Sequence, residues 1–241
     1  MISIIIPVFN QAEKLKYCLN SILEQTFNTY EVIIINDGST DKSGEVIRGF
    51  ENKFKTVGID YRIIEQTNRG APNARNHGFQ AAKGDYVIFC DADAILEKNC
   101  LWEMINALQD NLQASFVYSS FYWGKKLFKL QPFDAGKLRQ MPYIHTISLI
   151  RYKDFPITGW DESLKRFQDW DLWLSFIEQG KIGVWINKPL FQVCPGGTIS
   201  NWLPSFAYKL FPFLPAVKKY KKAEKIIREK HGLLLPEKDK K

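Results

Sequence analysis

The first hundred residues alternate short, β-branched apolar runs with longer stretches in which apolar residues recur at helical spacing. Buried strands are predicted at residues 3–8, 31–35, 61–64 and 86–90. Strands that alternate with helices imply right-handed crossovers and a mainly parallel, doubly wound, Rossmann-like α/β sheet. Such sheets bind ligands at the carboxyl ends of their strands, so the loops after Val8, Ile35 and Cys90 are where chemistry is expected.

Apolar stripes predict four helices between and after these strands. They lie around residues 15–22, around residues 46–54, from Pro72 to about residue 82, and at residues 101–108. Asn10 is placed to cap the first of them. Pro72 suits the first turn of the third, because a proline lacks the backbone N–H that is unpaired at that position.

The second half of the chain predicts a smaller antiparallel portion. Its strands are expected at residues 116–123 and 126–130, joined near Gly124, and at residues 147–151 and 183–186. Between the last two, a helix is expected to begin at Asp169 and to end at Gly180.

No linker or repeat separates the two halves. We therefore predict one domain over residues 1–200, with a donor-binding part at about 1–110 and an acceptor-binding part at about 111–200. An aromatic and basic extension, partly helical, follows at 201–241.

Composition adds expectations about the cell compartment. The chain has 241 residues and four cysteines without a CxxC pair, which is typical of buried thiols in a reducing compartment and argues against a zinc site. The first residues lack a basic segment and a cleavage site, and no apolar run approaches the roughly 20 residues that span a bilayer. Cytoplasmic residence is the expectation.

The net charge of +7 is concentrated at the end of the chain, since residues 218–241 contain ten Lys/Arg and four Asp/Glu. The preceding segment carries the aromatic residues Trp202, Phe206, Phe211 and Phe213. Two interpretations stay open: peripheral contact of residues 202–241 with an anionic membrane at the inner face of the cell envelope, or packing of the aromatics on the domain. Nucleic acid is not an expected partner, because the charge is confined to this segment and no recognised module appears.

Asp91 and Asp93 directly follow the fourth predicted strand. Two carboxylates delivered to one place by an apolar strand are costly to desolvate unless a cation meets them. Oxygen ligands suit Mg²⁺ or Mn²⁺, which usually bring phosphate oxygens with them. The pair therefore predicts a metal and diphosphate site.

Asp37 ends the second strand and Arg75 lies one turn inside the third helix. Asp37 is placed either to accept hydrogen bonds from a base or ribose or to organise its own turn. Arg75 is placed to pair with a phosphate or with the neighbouring acids, or to form an ordinary surface salt bridge.

The segment QDWDLW, residues 168–173, supplies a candidate general base. Asp169 is placed to take the proton of an attacking hydroxyl, although an acid at a helix start also serves as an N-cap. Asp171 is the competing candidate. Trp160 and Trp170 are candidates to stack on a sugar, whereas Trp173 fits the core better.

The segments SIIIPVFN, LNSILEQTF, YEVIIINDGSTD, NRGAPNARNHGFQAAKGDYVIFCDAD and GWDESLKRFQDWDLWL together resemble family 2 glycosyltransferases, which have the GT-A fold. They occur in the expected order from residue 3 to about residue 180. The resemblance implies an inverting, metal-dependent transfer of a sugar from a nucleotide sugar, UDP being favoured, to a saccharide or lipid-linked saccharide in cell-envelope polysaccharide, lipopolysaccharide or glycolipid assembly.

The resemblance also implies roles for individual residues. It assigns Asp37 to the nucleobase, Asp91 to the ribose or the metal region, Asp93 to the metal and Asp169 to the base. The other residues that it places at the site are Pro7, Phe9, Asn10 and Arg75 around the nucleotide, and Trp160, Asp161, Glu162, Gln168 and Trp170 on the acceptor side.

Three departures from the family pattern favour an alternative, a nucleotide-sugar-binding or scaffold protein without turnover. Gln168 stands where the family often has Glu, Ala94 stands where it often has an acid or polar residue, and residues 192–200 lack the Arg or His that often faces the diphosphate. His145 is a weak further candidate for a metal or phosphate contact. A nucleotidyltransferase and a dehydrogenase are disfavoured, because no glycine-rich loop follows the first strand.

Overall fold

A computed structural model of the chain describes residues 1–196 and 213–234. Its strands are β1 (Ile2–Val8), β2 (Tyr30–Asp37), β3 (Asp60–Gln66), β4 (Tyr86–Phe89), β5 (Ala94–Leu96), β6 (Ala114–Trp123), β7 (Lys126–Phe128), β8 (Leu149–Arg151) and β9 (Ile182–Val193). Its α-helices are α1 (Ala12–Leu23), α2 (Ser43–Thr56), α3 (Ala71–Ala81), α4 (Cys100–Asp110), α5 (Ala135–Gln140), α6 (Gln168–Glu178) and α7 (Pro215–Lys230), and a short 3₁₀ turn covers Tyr152–Asp154.

The strands form one sheet in the order β3-β2-β1-β4-β8-β6-β9-β5, with β7 paired to β6. The four strands of the first half pair in parallel, as predicted. The second half joins through antiparallel pairings of β8 with β4 and β6, of β5 with β9 and of β7 with β6. β6 and β9 pair in parallel, which the sequence did not indicate. The α/β class, with a parallel part and a smaller antiparallel part, is confirmed.

Two apolar layers cover the sheet, because successive residues of a strand point to opposite faces. In β1, Ile4 and Ile6 pack with α1, α2 and α4, whereas Ile5 packs on the other face with α3, α5 and α6. Both layers are continuous across the two predicted halves of the domain.

The end of the described chain packs on the second of these layers. Ile227 of α7 is fully buried in it, and Val217 is also fully buried. The basic helix predicted at residues 218–230 is therefore present, begins at Pro215, and lies against the body of the protein. Most of the predicted membrane-facing aromatics, Trp202, Phe206 and Phe211, lie outside the described residues.

Three local predictions need correction. α1 begins at Ala12, and Asn10 does not cap it, because Asn10 adopts a left-handed conformation (φ 51°) that turns it toward another loop. The short elements β5 and α5 were not predicted, and β9 is much longer than the predicted 183–186. Among the described residues, no helix has the length and apolarity that crossing a bilayer requires.

Helix α3 approaches the sheet closely because it carries Gly78. A Cβ atom at this position would lie 2.4 Å from Cγ2 of Ile5 and 2.6 Å from Cδ1 of Ile35. Cγ2 of a buried strand isoleucine is fixed by its β-branch, so it cannot swing away. The glycine therefore sets the distance between α3 and the sheet. That distance in turn sets the position of Arg75, three residues earlier in α3.

We predict that Gly78→Ala lowers the free energy of unfolding by about 1–3 kcal/mol, because the added methyl group overpacks the α3–sheet contact. Gly49→Ala is the matched control, since Gly49 is also helical but a Cβ atom added there would meet no other atom within 4 Å. The control is expected to gain about 0.4–1 kcal/mol from reduced chain entropy in the unfolded state. Urea titration of both variants checks the prediction, and equal effects would contradict it.

Candidate active site

Four parallel strands end at one edge of the sheet and bring their loops together. The registers pair Pro7 with Ile35, Asp37 with Gln66 and Ile5 with Phe89. The loops after β1, β2, β3 and β4 therefore share this edge, and those after β1, β2 and β4 were predicted from the sequence. Phe9, in the first of these loops, is 38% exposed.

Asp37 is almost completely buried and organises the loop that leads into α3. Its Oδ1 accepts hydrogen bonds from the backbone N–H of Arg69 (2.8 Å) and from Nε2 of Gln66 (2.8 Å), and its Oδ2 accepts one from the N–H of Gly70 (2.8 Å). The turn-organising role that the sequence left open is thus present. A contact of Asp37 with a nucleobase stays a prediction.

Asn10 ties the loop after β1 to the loop after β2. Its Oδ1 accepts hydrogen bonds from the backbone N–H groups of Thr40 (2.8 Å) and Asp41 (3.3 Å). Asp41 in turn accepts a hydrogen bond from the N–H of Ala12 at the start of α1 (3.1 Å). The cap expected from Asn10 is therefore supplied by a residue about thirty positions further along the chain.

Arg75 connects three separate elements at the carboxyl edge. Its Nη2 donates to Oδ1 of Asp91 (2.8 Å), after β4, and its Nη1 donates to Oε1 of Gln168 (3.0 Å), in α6. The guanidinium also lies 4.7 Å from the centre of the Trp160 ring. Of the roles that the sequence allowed, the structure supports pairing with a neighbouring acid, in a buried setting and not at the surface.

Asp91 and Asp93 both lie in the loop that follows β4. The negative charge of Asp93 is less well compensated than that of Asp91, which pairs with Arg75. Burial first, and then the charge of Asp91, raise the pKa of Asp93 to about 6, against an opposing effect of Lys14. The Lys14 ammonium donates a hydrogen bond to the backbone carbonyl of Cys194 (3.4 Å). The backbone N–H of Cys194 in turn donates to the backbone carbonyl of Asp93 (2.8 Å). This corner thus holds a partly buried carboxylate that favours a further cation.

The donor set fits a divalent ion only in part. Across residues 1–196 and 213–234, no group of three or more His, Cys, Asp or Glu side chains is arranged to hold a metal. Mg²⁺ commonly binds through one or two carboxylates and completes its shell with water and phosphate oxygens. Asp91 and Asp93 meet that lesser requirement.

Asp169 lies in the first turn of α6, but it is not the N-cap. The cap position is held by Phe167, and Oδ1 of Asp169 accepts a hydrogen bond from the N–H of Trp170 (2.9 Å). Burial raises the pKa of Asp169, and the charges of Arg75 and Asp91 act on it in opposite directions. The carboxylate therefore shares the electrostatic environment of the Arg75–Asp91 pair.

Asp171, the competing candidate for the base, belongs to a different cluster. It is 3% exposed, and its Oδ1 is bound by Nε2 of His231 (2.8 Å) and by the ammonium of Lys230 (2.7 Å). A carboxylate enclosed by these partners is not available to an acceptor hydroxyl. The structure therefore corrects the proposal of Asp171 as an alternative base.

The two tryptophans expected to stack on a sugar are core residues. Trp160 is 2% exposed and packs edge-on against Phe89 (5.1 Å between ring centres). Trp170 is 1% exposed, and its Nε1 donates to the carbonyl of Leu138 (2.6 Å). Neither ring face is open to a ligand, so the prediction of sugar stacking is wrong for both, whereas the core position of Trp173 is confirmed.

Asp161 and Glu162 differ in their surroundings. Glu162 accepts hydrogen bonds from Nδ2 of Asn73 (2.8 Å) and of Asn76 (2.9 Å), and these bonds lower the pKa of Glu162. It lines an open polar cleft of about 460 Å³ beside α3, together with Gln66, Thr67, Arg69, Asn73, Asn76, His77 and Gln80. Asp161 instead accepts a hydrogen bond from the ammonium of Lys230 (2.7 Å).

His145, a weak candidate from the sequence, lies near enough to the site for the charges of Asp91 and Arg75 to act on it. Its Nδ1 accepts a hydrogen bond from the N–H of Ile147 (3.1 Å), and its ring packs at a tilt against the stacked rings of Phe121 and Phe191 (4.9 and 5.1 Å between centres). Burial lowers the pKa of His145 to about 4, so the ring is neutral at physiological pH. The positions of Lys14 and His145 at the site depend on contacts with residues distant in the sequence, which the sequence pattern does not reveal.

Two solved structures share the fold of this chain. TarS of S. aureus (residues 1–349, in complex with UDP-GlcNAc) matches with a TM-score of 0.70 and 18% identity over 95% of this chain and 70% of that one. The mannosyltransferase PcManGT of Pyrobaculum calidifontis, in complex with GDP-Man and Mn²⁺, matches with a TM-score of 0.67 and 17% identity over 83% and 58%. The fold is thus the GT-A fold of these transferases.

Sequence comparison identifies the family to which the chain belongs. The family model for glycosyl transferase family 2 matches residues 3–169. GlyG, a glycosyltransferase of Streptococcus pneumoniae serotype 4, is 34% identical over 123 residues, which cover 51% of this chain and 39% of GlyG. The chain belongs to glycosyl transferase family 2, as its motifs suggested, and it spans less than half the length of this curated relative.

We predict that Asp93→Asn stabilises the metal-free protein at pH 7.5 and has little effect at pH 4. The pKa of Asp93 is raised from 3.8 to about 6, so its stabilising contribution is complete below pH 3.8 and is lost as the pH rises through 6. The expected difference between the two pH values is on the order of 2 kcal/mol. Thermal unfolding in chelator at both pH values measures it, and a pH-independent difference would contradict the assigned environment.

Proposed function

We propose that the protein is an inverting glycosyltransferase that moves a sugar from a nucleotide-diphosphate sugar to an acceptor hydroxyl. The single observation that carries the proposal is the meeting of Asp91, Arg75 and the first turn of α6 at the carboxyl edge of the sheet. This contact supports the proposal, because a buried guanidinium holds one of the two proposed metal ligands and the turn that carries the proposed base at one edge.

Donor binding is proposed at the loops after β1, β2 and β4, with a UDP-sugar favoured. Its support is the family membership and the UDP-GlcNAc complex of TarS, while the GDP-Man complex of PcManGT keeps GDP as the second candidate. Asp91 and Asp93 are the residues that would hold Mn²⁺ or Mg²⁺. When bound, such an ion offsets the negative charge that develops on the departing diphosphate.

Asp169 is proposed as the general base. A single displacement with inversion needs a group that takes the proton from the attacking hydroxyl, and a positioned carboxylate typically contributes about 10²–10⁴-fold to the rate. Burial raises the pKa of Asp169 and so strengthens it as a base. The acceptor is proposed to be a saccharide or lipid-linked saccharide of a cell-envelope polymer.

The alternative is a donor-binding protein without turnover, and the residue that favours it is Gln168. This amide stands where the family often carries a second carboxylate, and it is bound to Arg75 and to the carbonyl of Leu164 (2.9 Å). Nucleotide release from a panel of nucleotide sugars, with Mn²⁺ and with chelator, separates the two functions. Donor binding without release in any acceptor mixture would favour the alternative.

We predict that Asp169→Asn retains donor affinity within about twofold and lowers transfer by about 10²–10⁴-fold, because the amide cannot accept the proton. In the wild type, transfer should rise with pH through the raised pKa of Asp169. Calorimetric titration with the nucleotide and a coupled nucleotide-release assay measure the two effects. Full transfer by the variant would remove Asp169 from this role.

Peripheral membrane contact is also proposed, on the outer face of α7. Lys218, Lys219, Lys222 and Lys225 are exposed there, and Lys225 lies 3.5 Å from Glu229. Each lysine near an anionic surface contributes about 1 kcal/mol to membrane binding. The face is therefore suited to the phosphate-rich headgroups of an anionic bilayer.

Replacing these four lysines by glutamine in the full chain is predicted to weaken binding to phosphatidylglycerol vesicles by roughly 10³-fold. The matched control replaces four exposed lysines on or near α1 and α2: Lys16, Lys42, Lys53 and Lys55. It removes the same charge and should leave most of the binding intact. Vesicle flotation at low and high salt measures both variants, and an equal loss in the two would show that only net charge matters.

A further inference from the structure

The first turn of α6 presents opposite sides to two different parts of the protein. Successive residues of a helix are rotated by about 100°, so Asp169 and Asp171 lie about 200° apart around the axis. On one side, Asp169 responds to the charges of the Arg75–Asp91 pair, while Gln168, which lies between the two aspartates around the axis, binds Arg75. On the other side, Asp171 is enclosed by residues at the end of α7.

The residue that starts this turn has a strained backbone. Phe167 has φ 59° and ψ 28°, a left-handed conformation that typically costs about 1–3 kcal/mol for a residue with a side chain and persists only where its surroundings impose it. Its ring packs edge-on against Tyr220 of α7 (4.9 Å between centres) and against Trp170 (5.6 Å). The helix therefore begins where α7 holds Phe167.

Asp171 and its partners form the most polar part of this contact. The Lys230 ammonium lies 2.7 Å from Asp171 and 2.7 Å from Asp161, so it joins α6 to the loop before it. His231 uses both ring nitrogens, Nε2 with Asp171 (2.8 Å) and Nδ1 with Glu178 (2.7 Å), and it thereby spans two turns of α6. A carboxylate as buried as Asp171 would be strongly destabilising without these partners.

Arg228 completes the contact from the same helix. Its guanidinium lies 5.3 Å from the centre of the Trp170 ring, and its Nη2 donates to the carbonyl of Gln140 at the end of α5 (2.7 Å). Nε of Arg228 is fixed by Glu224, one turn earlier in α7 (2.9 Å). The guanidinium is therefore held over Trp170, the residue directly after Asp169.

We infer that α7, together with His231 directly after it, is a clamp that positions Asp169 for proton transfer. The clamp consists of Tyr220, Arg228, Lys230 and His231, which hold Phe167, Trp170 and Asp171 on the far side of the turn. These four are positioning residues, since they act through α6. The inference rests on the proposed function for its catalytic consequence, whereas the holding of the α6 turn can be tested without activity.

If the end of the described chain were only a membrane-binding segment or a solvated terminus, the following effects on α6 would not be expected. His231→Ala should lower kcat by about 10²-fold, because small displacements of a reacting group are that costly, while the Kd for the nucleotide stays within about twofold. Hydrogen exchange should show faster exchange of the amides of residues 168–172, with the sheet unchanged. His231→Gln, whose amide can still donate to Asp171, should restore most of kcat.

Asp171→Asn gives an independent variant of nearly identical shape. It removes the charge that pairs with Lys230 and keeps an acceptor for His231, so its effect on kcat should be smaller than that of His231→Ala. The double variant should then fall short of the product of the two single effects, as expected for residues in one network. Lys188→Met is the control, because Lys188 also forms one 2.7 Å ion pair, with Glu103, outside α6 and α7.

The outcomes separate the two proposals. Faster exchange of the α6 turn with an unchanged kcat in an active wild type would overturn the clamp as a positioning device. Unchanged exchange in His231→Ala would overturn the holding contact itself. A wild type without nucleotide release from any sugar donor, but with faster exchange in the variant, would sink the proposed function and leave the holding contact standing.

Discussion

The site depends on the buried ion pair between Arg75 and Asp91. An arginine that is only 6% exposed is tolerable only with a carboxylate beside it, so α3 and the loop after β4 are fixed relative to one another. The same group reaches Gln168 and thereby brings α6 to the carboxyl edge. Gly78 allows this by letting α3 settle onto the sheet. The Arg75 guanidinium thus brings together the acidic loop after β4 and the helix that carries Asp169.

The fold of the first half follows from short-range patterns. β-branched runs and helical stripes are local signals, and they predicted β1 to β4 and α1 to α4 to within a few residues. The prediction for Asn10 was wrong because its left-handed conformation is imposed by a loop about thirty residues away. β5 has only three residues and depends on pairing with β9, whose second half is set by partners in β5 and β6. Such pairings leave no periodic signal in either strand alone.

The sequence predicted the positions of those site residues that the topology of the sheet alone determines. Acids at the carboxyl ends of parallel strands in one sheet must share an edge, which located Asp37, Asp91 and Asp93. The burial of Trp160 and Trp170 depends on helices packed from elsewhere, so their aromatic character gave the wrong expectation. Asp171 was indistinguishable from Asp169 in the motif, because its partners Lys230 and His231 lie about sixty residues later.

Gln168 illustrates how one neutral side chain changes the charge balance. Its Oε1 accepts from Arg75 while its Nε2 donates to the carbonyl of Leu164 (2.9 Å), a combination that an ionised glutamate cannot achieve because it has no donor. Among the described residues, Asp91 is the carboxylate that forms an ion pair with Arg75. The pocket carries one negative charge fewer than a Glu–Asp pair would give, so it attracts a bare cation less and repels an incoming anion less. Relative to a Glu–Asp pair, the amide thus shifts the preference of the pocket away from cations and toward anions.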